Sequence, residues 1–400
     1  MRELNYKHSY RYILLFQLLS LFVLFSFSEG KALSKLFFIP LVILVVGIVN
    51  YFLNIRLIGS SRHYAIVSMI FSIGVVEIFR LNPEYGLKQM FWFVVGTMLM
   101  YATYIIIKNF DFYKKLYIYY VAGIFLLFFI TLFFGEASGG AKNWVRIFGH
   151  LFQPIELIKI LYIMQLATSP KGKFYIIDYR LINIILTFLY MGLLMIQRDL
   201  GSALMIFLIL LAYLLIFEKK KRYFIITFTA FIIFAGLGIY LLSHVRTRFE
   251  IWLHPFDNYN SKGYQIVTAL TAMSNGGFVG TGIGQGIPNI IPVNISDMII
   301  AAIVEEMGAL MGIAIIILYL VLGVDSLLRS KLIGDSNKRI MAVLIASFFI
   351  MQFFVILFGT MNIIPLTGIT APFLSYGGSS MLSSFIMLGM LESALRSSYE

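Results

Sequence analysis

The chain has 400 residues, 60% of them hydrophobic and only 12% charged, with a formal net charge of +12 at pH 7 and no cysteine. A soluble domain carries about 25% charged residues, so the composition excludes a soluble globular protein and leaves a polytopic membrane protein. The cations fall in short gaps between apolar runs and form no contiguous basic face, which excludes nucleic acid as the partner; the missing cysteine excludes disulfide and thiolate chemistry.

The apolar runs are long and continuous, without the alternation of a membrane barrel strand, so the expected fold is an all-α integral membrane protein. About twelve spans are predicted, near residues 11–28, 36–55, 64–80, 89–108, 116–135, 155–168, 181–197, 200–217, 222–243, 298–323, 340–360 and 375–395. Residues 1–60 read as a transmembrane hairpin and 61–400 as the remaining core. The first run is followed by Glu29-Gly30-Lys31 with no small-residue cleavage motif, so it is not read as a cleaved signal. Cations recur in alternate loops: Arg56 and Arg62; Lys108, Lys114 and Lys115; Lys171, Lys173 and Arg180; Lys219, Lys220, Lys221 and Arg222; Arg329, Lys331, Lys338 and Arg339. That bias puts these loops and both termini in the cytoplasm. Loops 136–154, 197–199, 244–297 and 361–374 then face outward, and their Trp, Gln, Pro and Gly content marks them as the place for a site. No segment outside the spans is long enough for a soluble core, and no internal repeat favours an inverted-repeat transporter.

In the first outward loop, Lys142 and Arg146 suit an anionic ligand such as phosphate, and Trp144 is either an interfacial anchor or a platform for a sugar. Gln153 precedes Pro154, which fits the first turn of a helix. Glu156 and Lys159 follow at i,i+3, as a buried ion pair or as contacts to a headgroup. In the hairpin Gln197-Arg198-Asp199, Asp199 caps the next helix or pairs with Lys159 or Arg198. The glycines of the long loop are not a nucleotide fingerprint, because the spacing is not GxGxxG and no strand precedes them; a re-entrant or surface-lying loop is expected. That large loop, 244–297, ends at Asp297, where a helix starts near 298. Asp297 has two readings: a cap for that helix, or a general base whose pKa is raised by partial burial. Glu305 and Glu306 follow inside the span, on different sides of a helix, and at least one should pair with a cation or line a polar cavity. Further on, Pro365 and Pro372 argue against a regular span, and the small residues Gly377–Ser380 would let the last helix pack closely. The five histidines show no metal-ligand spacing, so no metal site is predicted.

These constellations, in this order, resemble the SEDS family (shape, elongation, division and sporulation), the RodA/FtsW proteins. GITAPFLSYGGSS at 368–380 is similar to the family's GITLPFVSYGGSS, FQPIELIK at 152–159 to its QPSEL-K stretch, and QRDLGSA at 197–203 to QPDLGTA. ISDMIIAAIVEEMG at 295–308 resembles TDFIFAVIAEELG, and the loop GYQIVTALTAMSNGGFVGTGIGQG resembles the one before the family's catalytic helix. The resemblance covers about residues 64–395. It implies a core of about ten helices, to which the first two spans are additional. It also implies a peptidoglycan glycosyltransferase acting on lipid II, with a class B penicillin-binding protein as partner. Asp297 matches the family acid that would deprotonate the 4-hydroxyl of the acceptor GlcNAc. Lys142, Trp144, Arg146, Gln153, Arg198 and Ser375 become candidate substrate contacts, and Glu156, Lys159, Asp199 and Glu306 candidate supports for the site. No cofactor is implied, and assistance by a divalent cation stays an open alternative. The chain departs from the pattern at Val293, where a glutamate is usual after proline, and at Ser296, Arg198, Ile155 and Asn143. A transporter of the lipid-linked precursor and a non-catalytic scaffold of an elongation or division complex are the rival readings.

Overall fold

The computed structural model describes residues 15–16, 62–138, 141–147, 149–170, 172–174, 177–259 and 263–396. The N-terminal hairpin expected within residues 1–60 lies outside the described residues, except for 15–16.

The protein is a helical, multi-pass membrane protein. It runs α1 (Arg62–Leu81), α2 (Pro83–Asn109), α3 (Tyr117–Phe134), then β1 (Glu136–Ser138), β2 (Ala141–Ile147) and β3 (His150–Phe152). There follow α4 (Pro154–Ala167), the two-residue strands β4 (Lys173–Phe174) and β5 (Ile177–Asp178), α5 (Tyr179–Ile196), α6 (Leu200–Phe217) and α7 (Lys221–Leu241). The chain continues through α8 (Ser243–Leu253), α9 (Tyr264–Gly276), α10 (Ile299–Ser330), α11 (Ser336–Thr360) and α12 (Gly378–Arg396). Among the described residues, nine of these helices are long and apolar enough to cross a bilayer: α1, α2, α3, α5, α6, α7, α10, α11 and α12. The span expected at 155–168 is α4, with 14 residues; that is about 21 Å of rise, a short crossing of a hydrocarbon core of about 30 Å, and the alternation of the loops counts it as one. Large apolar side chains stand exposed along α3, α5 and α7, among them Phe133, Ile185, Ile196, Ile233 and Leu237, as a surface solvated by lipid requires.

Helix starts follow the local chemistry. Asn82 Oδ1 accepts the N–H groups of Glu84 and Tyr85, with Pro83 in the first position of α2. Asp178, Asp199 and Asp335 cap α5, α6 and α11 in the same way.

Three sequence expectations need correction. The stretch 136–154 is not a plain loop but an antiparallel sheet in the order β1-β2-β3. On β2, Asn143 and Val145 are buried while Lys142 and Arg146 are exposed, the alternation of a half-buried strand. The segment 244–297 is not one long loop but contains two helices, α8 and α9. The span expected at 298–323 extends to Ser330 and is broken inside, at Gly308 (φ 81°, ψ 169°).

The chain forms two compact units. The first comprises the described residues to Leu99 with Thr268–Leu322 and Thr370–Leu388; the second comprises Met100–Val267, Gly323–Ile369 and the described residues from Gly389. Stacked and edge-on rings fill the first: Phe71 on Phe93 at 4.0 Å, and Phe385 against Phe93 and Phe373 at 5.2 Å each. The second buries a polar network in which Tyr117 and Gln165 both donate to Asn183 Oδ1, and Tyr190 donates to Gln165. Satisfied networks of this kind hold helices together where no water is at hand.

Candidate functional site

In the first unit, Asp297 is half-buried, in the last turn before α10. The Met298 carbonyl accepts the N–H groups of Ala301 and Ala302, so Met298 flanks the helix and Asp297 lies one residue outside the capping position. From Met298 to Glu306 every residue is buried, so the carboxylate stands where the buried helix meets its polar approach. That approach is tightly turned. Ser296 and Met298 donate to the Val293 carbonyl, Asn294 Nδ2 donates to the Pro288 carbonyl, and Val293 holds φ 56°. A β-branched residue in the left-handed region is strained.

The segment 371–377 buttresses this turn. Ser375 Oγ donates to the Ser296 carbonyl (2.7 Å) and accepts the Ala371 N–H, and the Tyr376 N–H donates to the Ile295 carbonyl (2.9 Å). Gln89, fully buried on α2, donates to the Ser375 carbonyl (2.8 Å) and accepts the Gly377 N–H. Ser375, a candidate substrate contact by sequence, is itself buried and commits its hydroxyl to the backbone beside Asp297. Glu306 is ion-paired with Arg80 (2.5 Å). Glu305 and Glu306, expected on different sides of a helix, both reach one loop: Glu306 Oε2 accepts the Gly284 N–H and Glu305 Oε1 the Ile287 N–H.

In the second unit, β2 and the hairpin at 197–199 are joined. The Lys142 N–H donates to the Gln197 carbonyl (3.0 Å), and Asn143 Nδ2 donates to Asp199 Oδ2 (3.0 Å). The other oxygen of Asp199 accepts the Ser202 N–H (3.0 Å), so the carboxylate is a cap and an anchor for β2; it does not pair with Lys159 or Arg198. Glu156 and Lys159 form a buried ion pair (2.8 Å), and Lys159 also lies over the Phe348 ring. Gln153 is half-buried immediately before α4, and Trp144 is half-buried on β2 opposite Glu136. Arg146 donates two hydrogen bonds to Glu136 (2.9 and 2.8 Å), which hold that carboxyl below its ordinary range. Lys142 Nζ donates to the Leu132 carbonyl.

Arg198 is exposed, in the left-handed region at φ 62°. Burial, and then the charges of Arg198 and Arg248, push the His244 imidazole below its usual pKa, so two guanidiniums and a neutral imidazole share one neighbourhood at pH 7. Arg248 is fixed by donating to the Leu366 and Thr367 carbonyls (3.0 and 3.3 Å). Sequence reasoning missed Arg80, Gln89, His244 and Arg248. One signal was available: Arg80 and Lys88 flank a loop on the side otherwise poor in connecting cations. Backbone strain is a second marker. The four non-glycine residues with positive φ among those described, Arg198, Val293, Asn362 and Phe373, all lie in turns outside the helices. Among the described residues, no group of three or more His, Cys, Asp or Glu is arranged to hold a metal ion.

The FtsW/RodA/SpoVE cell cycle protein model matches residues 64–400. The peptidoglycan glycosyltransferase RodA of Mycobacterium tuberculosis is 30% identical over 82% of this chain and 76% of its own length. The probable peptidoglycan glycosyltransferase FtsW of Bacillus subtilis is 31% identical over 77% of this chain and 82% of its own. Two solved structures show the same fold. A chain of a peptidoglycan synthase complex that coordinates polymerization and crosslinking matches with a TM-score of 0.71 at 22% identity, over 84% of this chain and 98% of its own. The rod shape determining protein RodA of Thermus thermophilus matches with 0.64 at 20% identity, over 86% and 99%.

Proposed function

This chain belongs to the FtsW/RodA/SpoVE family of cell cycle proteins, and from that premise we propose that it is a peptidoglycan glycosyltransferase that polymerises lipid II at the outer face of the cytoplasmic membrane, with Asp297 as general base. The observation that carries the role of Asp297 is its setting: a half-buried carboxylate outside the capping position, on a turn braced by Ser375, Tyr376 and the strained Val293.

Asp297 takes the proton from the 4-hydroxyl of the acceptor GlcNAc as its oxygen attacks the anomeric carbon of the donor strand. The new bond joins that oxygen to the anomeric carbon. The bond from the anomeric carbon to the diphosphate breaks, and undecaprenyl diphosphate leaves with the electron pair. A cation is required against the charge that grows on the leaving diphosphate. The charge bias of the loops supports cytoplasmic termini, and with them an outward-facing Asp297. A class B penicillin-binding protein is the partner that would cross-link the strands.

The test is polymerisation of labelled lipid II by the purified chain together with its penicillin-binding partner. Asp297→Asn should lose about a hundredfold or more in rate while keeping its melting temperature. Polymer formed at the parental rate by that variant rules out the base. Movement of lipid II across vesicles by a chain that makes no polymer favours the transporter, and partner binding with neither activity favours the scaffold.

A further inference from the structure

α10 does not run through Gly308 as a helix; the loop before it is stitched into the break. The N–H groups of Thr281 and Gly282 donate to the carbonyls of Glu305 and Glu306 (2.9 and 3.0 Å). In return, the N–H groups of Ala309 and Leu310 donate to the carbonyls of Gly277 and Phe278 (3.0 and 3.2 Å). Backbone groups orphaned by the break thus find partners in the loop. Glycine is required on both sides of the seam. A Cβ at Gly308 would overlap the backbone of Val279, and one at Gly280 would overlap that of Glu306.

The side chains then lock the seam. Glu306 Oε2 accepts the Gly284 N–H, Glu305 Oε1 accepts the Ile287 N–H, and Thr281 Oγ1 donates to the Glu305 carbonyl. Arg80, from α1, pairs with Glu306 and also donates to the Gly286 carbonyl (3.2 Å). The Glu306 side chain has no exposed surface and that of Arg80 has 14%, so this ion pair is largely shielded from water. From the clamped Ile287 the chain has only the 3₁₀ turn at Pro288–Ile290 and the Val293 turn before it reaches Asp297.

We propose that Arg80 and Glu306 are positioning residues for the polymerisation reaction: they lock the loop 277–287 into the break of α10 and thereby fix the turn that presents Asp297. The proposal rests on the reading of Asp297 as the base. The chemistry argues for a rate effect above all, because a misplacement of about 1 Å in a reacting group costs about a hundredfold. Neither residue touches substrate in this reading.

The test uses the full chain with its penicillin-binding partner, labelled lipid II, and hydrogen–deuterium exchange of the loop amides. The variants are Glu306→Gln, Arg80→Gln and Arg80→Lys, with Asp297→Asn as the control. Glu306→Gln and Arg80→Gln should lower kcat about tenfold or more with KM within about twofold, and Arg80→Lys should recover a large part of the loss. In both Gln variants, amides from Thr281 to Ile287 should exchange faster while those of α11 stay protected. Unchanged kcat in a Glu306→Gln variant with loosened amides overturns the proposal, because the clamp then exists without positioning anything. A loss of kcat with unchanged exchange also overturns it. If both Gln variants simply fail to fold, the Arg80→Lys variant decides: parental exchange and rate uphold the charge clamp, and a folded Lys variant with loosened amides and full rate overturns it. Full activity of Asp297→Asn overturns the base assignment instead, and the exchange data still report separately whether the clamp exists.

Discussion

Asp199 shows how one carboxylate can carry a hairpin. One oxygen caps α6 through Ser202 and the other holds the buried amide of Asn143 on β2. Removing both at once with Asp199→Ala should cost about 2 kcal/mol or more, since a cap is lost and a buried donor is left unpaired. Asp199→Asn should be mild. Its remaining oxygen keeps the cap, and a flip of Asn143 lets the Asn143 Oδ1, which has no hydrogen-bond partner now, accept from the new amide. Thermal melts in detergent separate the two variants. A stable Asp199→Asn protein that had lost polymerisation would falsify a purely architectural role. The capping half of this was legible from an aspartate before an apolar run, but the Asn143 half was not. Its partner sits more than fifty positions away, and nothing local marks that pairing.

At the scale of the element, the spans were readable because a continuous apolar run needs no periodicity to betray it. What stayed hidden has physical causes. α8 buries only Val245 and Ile251, too few to print a helical stripe. Among the described side chains of β2, two alternate residues are buried, Asn143 and Val145, one of them polar. The break in α10 reads as an ordinary helical glycine, because the backbone groups that make it tolerable arrive from the loop at 277–282. Two glycine substitutions should therefore have opposite signs. Gly192→Ala, in regular α5 with open space at the new methyl, should raise stability by about 0.5 kcal/mol. Gly308→Ala meets both a backbone conformation reserved for glycine and the backbone of Val279, and should cost about 3 kcal/mol or prevent folding. Melting temperatures of the two purified variants check this; equal small effects would mean that α10 runs unbroken past Gly308.

For the whole molecule, orientation decides whether the reaction faces the wall or the cytosol. It is carried by a distribution of charge and by no single contact. The charge bias predicts that the connections holding Lys108, Lys114 and Lys115, then Lys219, Lys220, Lys221 and Arg222, face the cytoplasm and that the loop before Asp297 faces outward. Arg80 and Lys88 stand against that bias, and they are outnumbered by the cations of the other connections, so the assignment stands on the clusters. The chain has no cysteine, so single substitutions report position cleanly. Val279→Cys, on an exposed residue of the loop at 277–287, should react with a membrane-impermeant maleimide on intact cells. Lys219→Cys should react only after permeabilisation. The opposite pattern would place Asp297 on the cytoplasmic side, where the lipid-linked disaccharide could not be polymerised into a wall beyond the membrane, and the glycosyl-transfer role of Asp297 would fall with it.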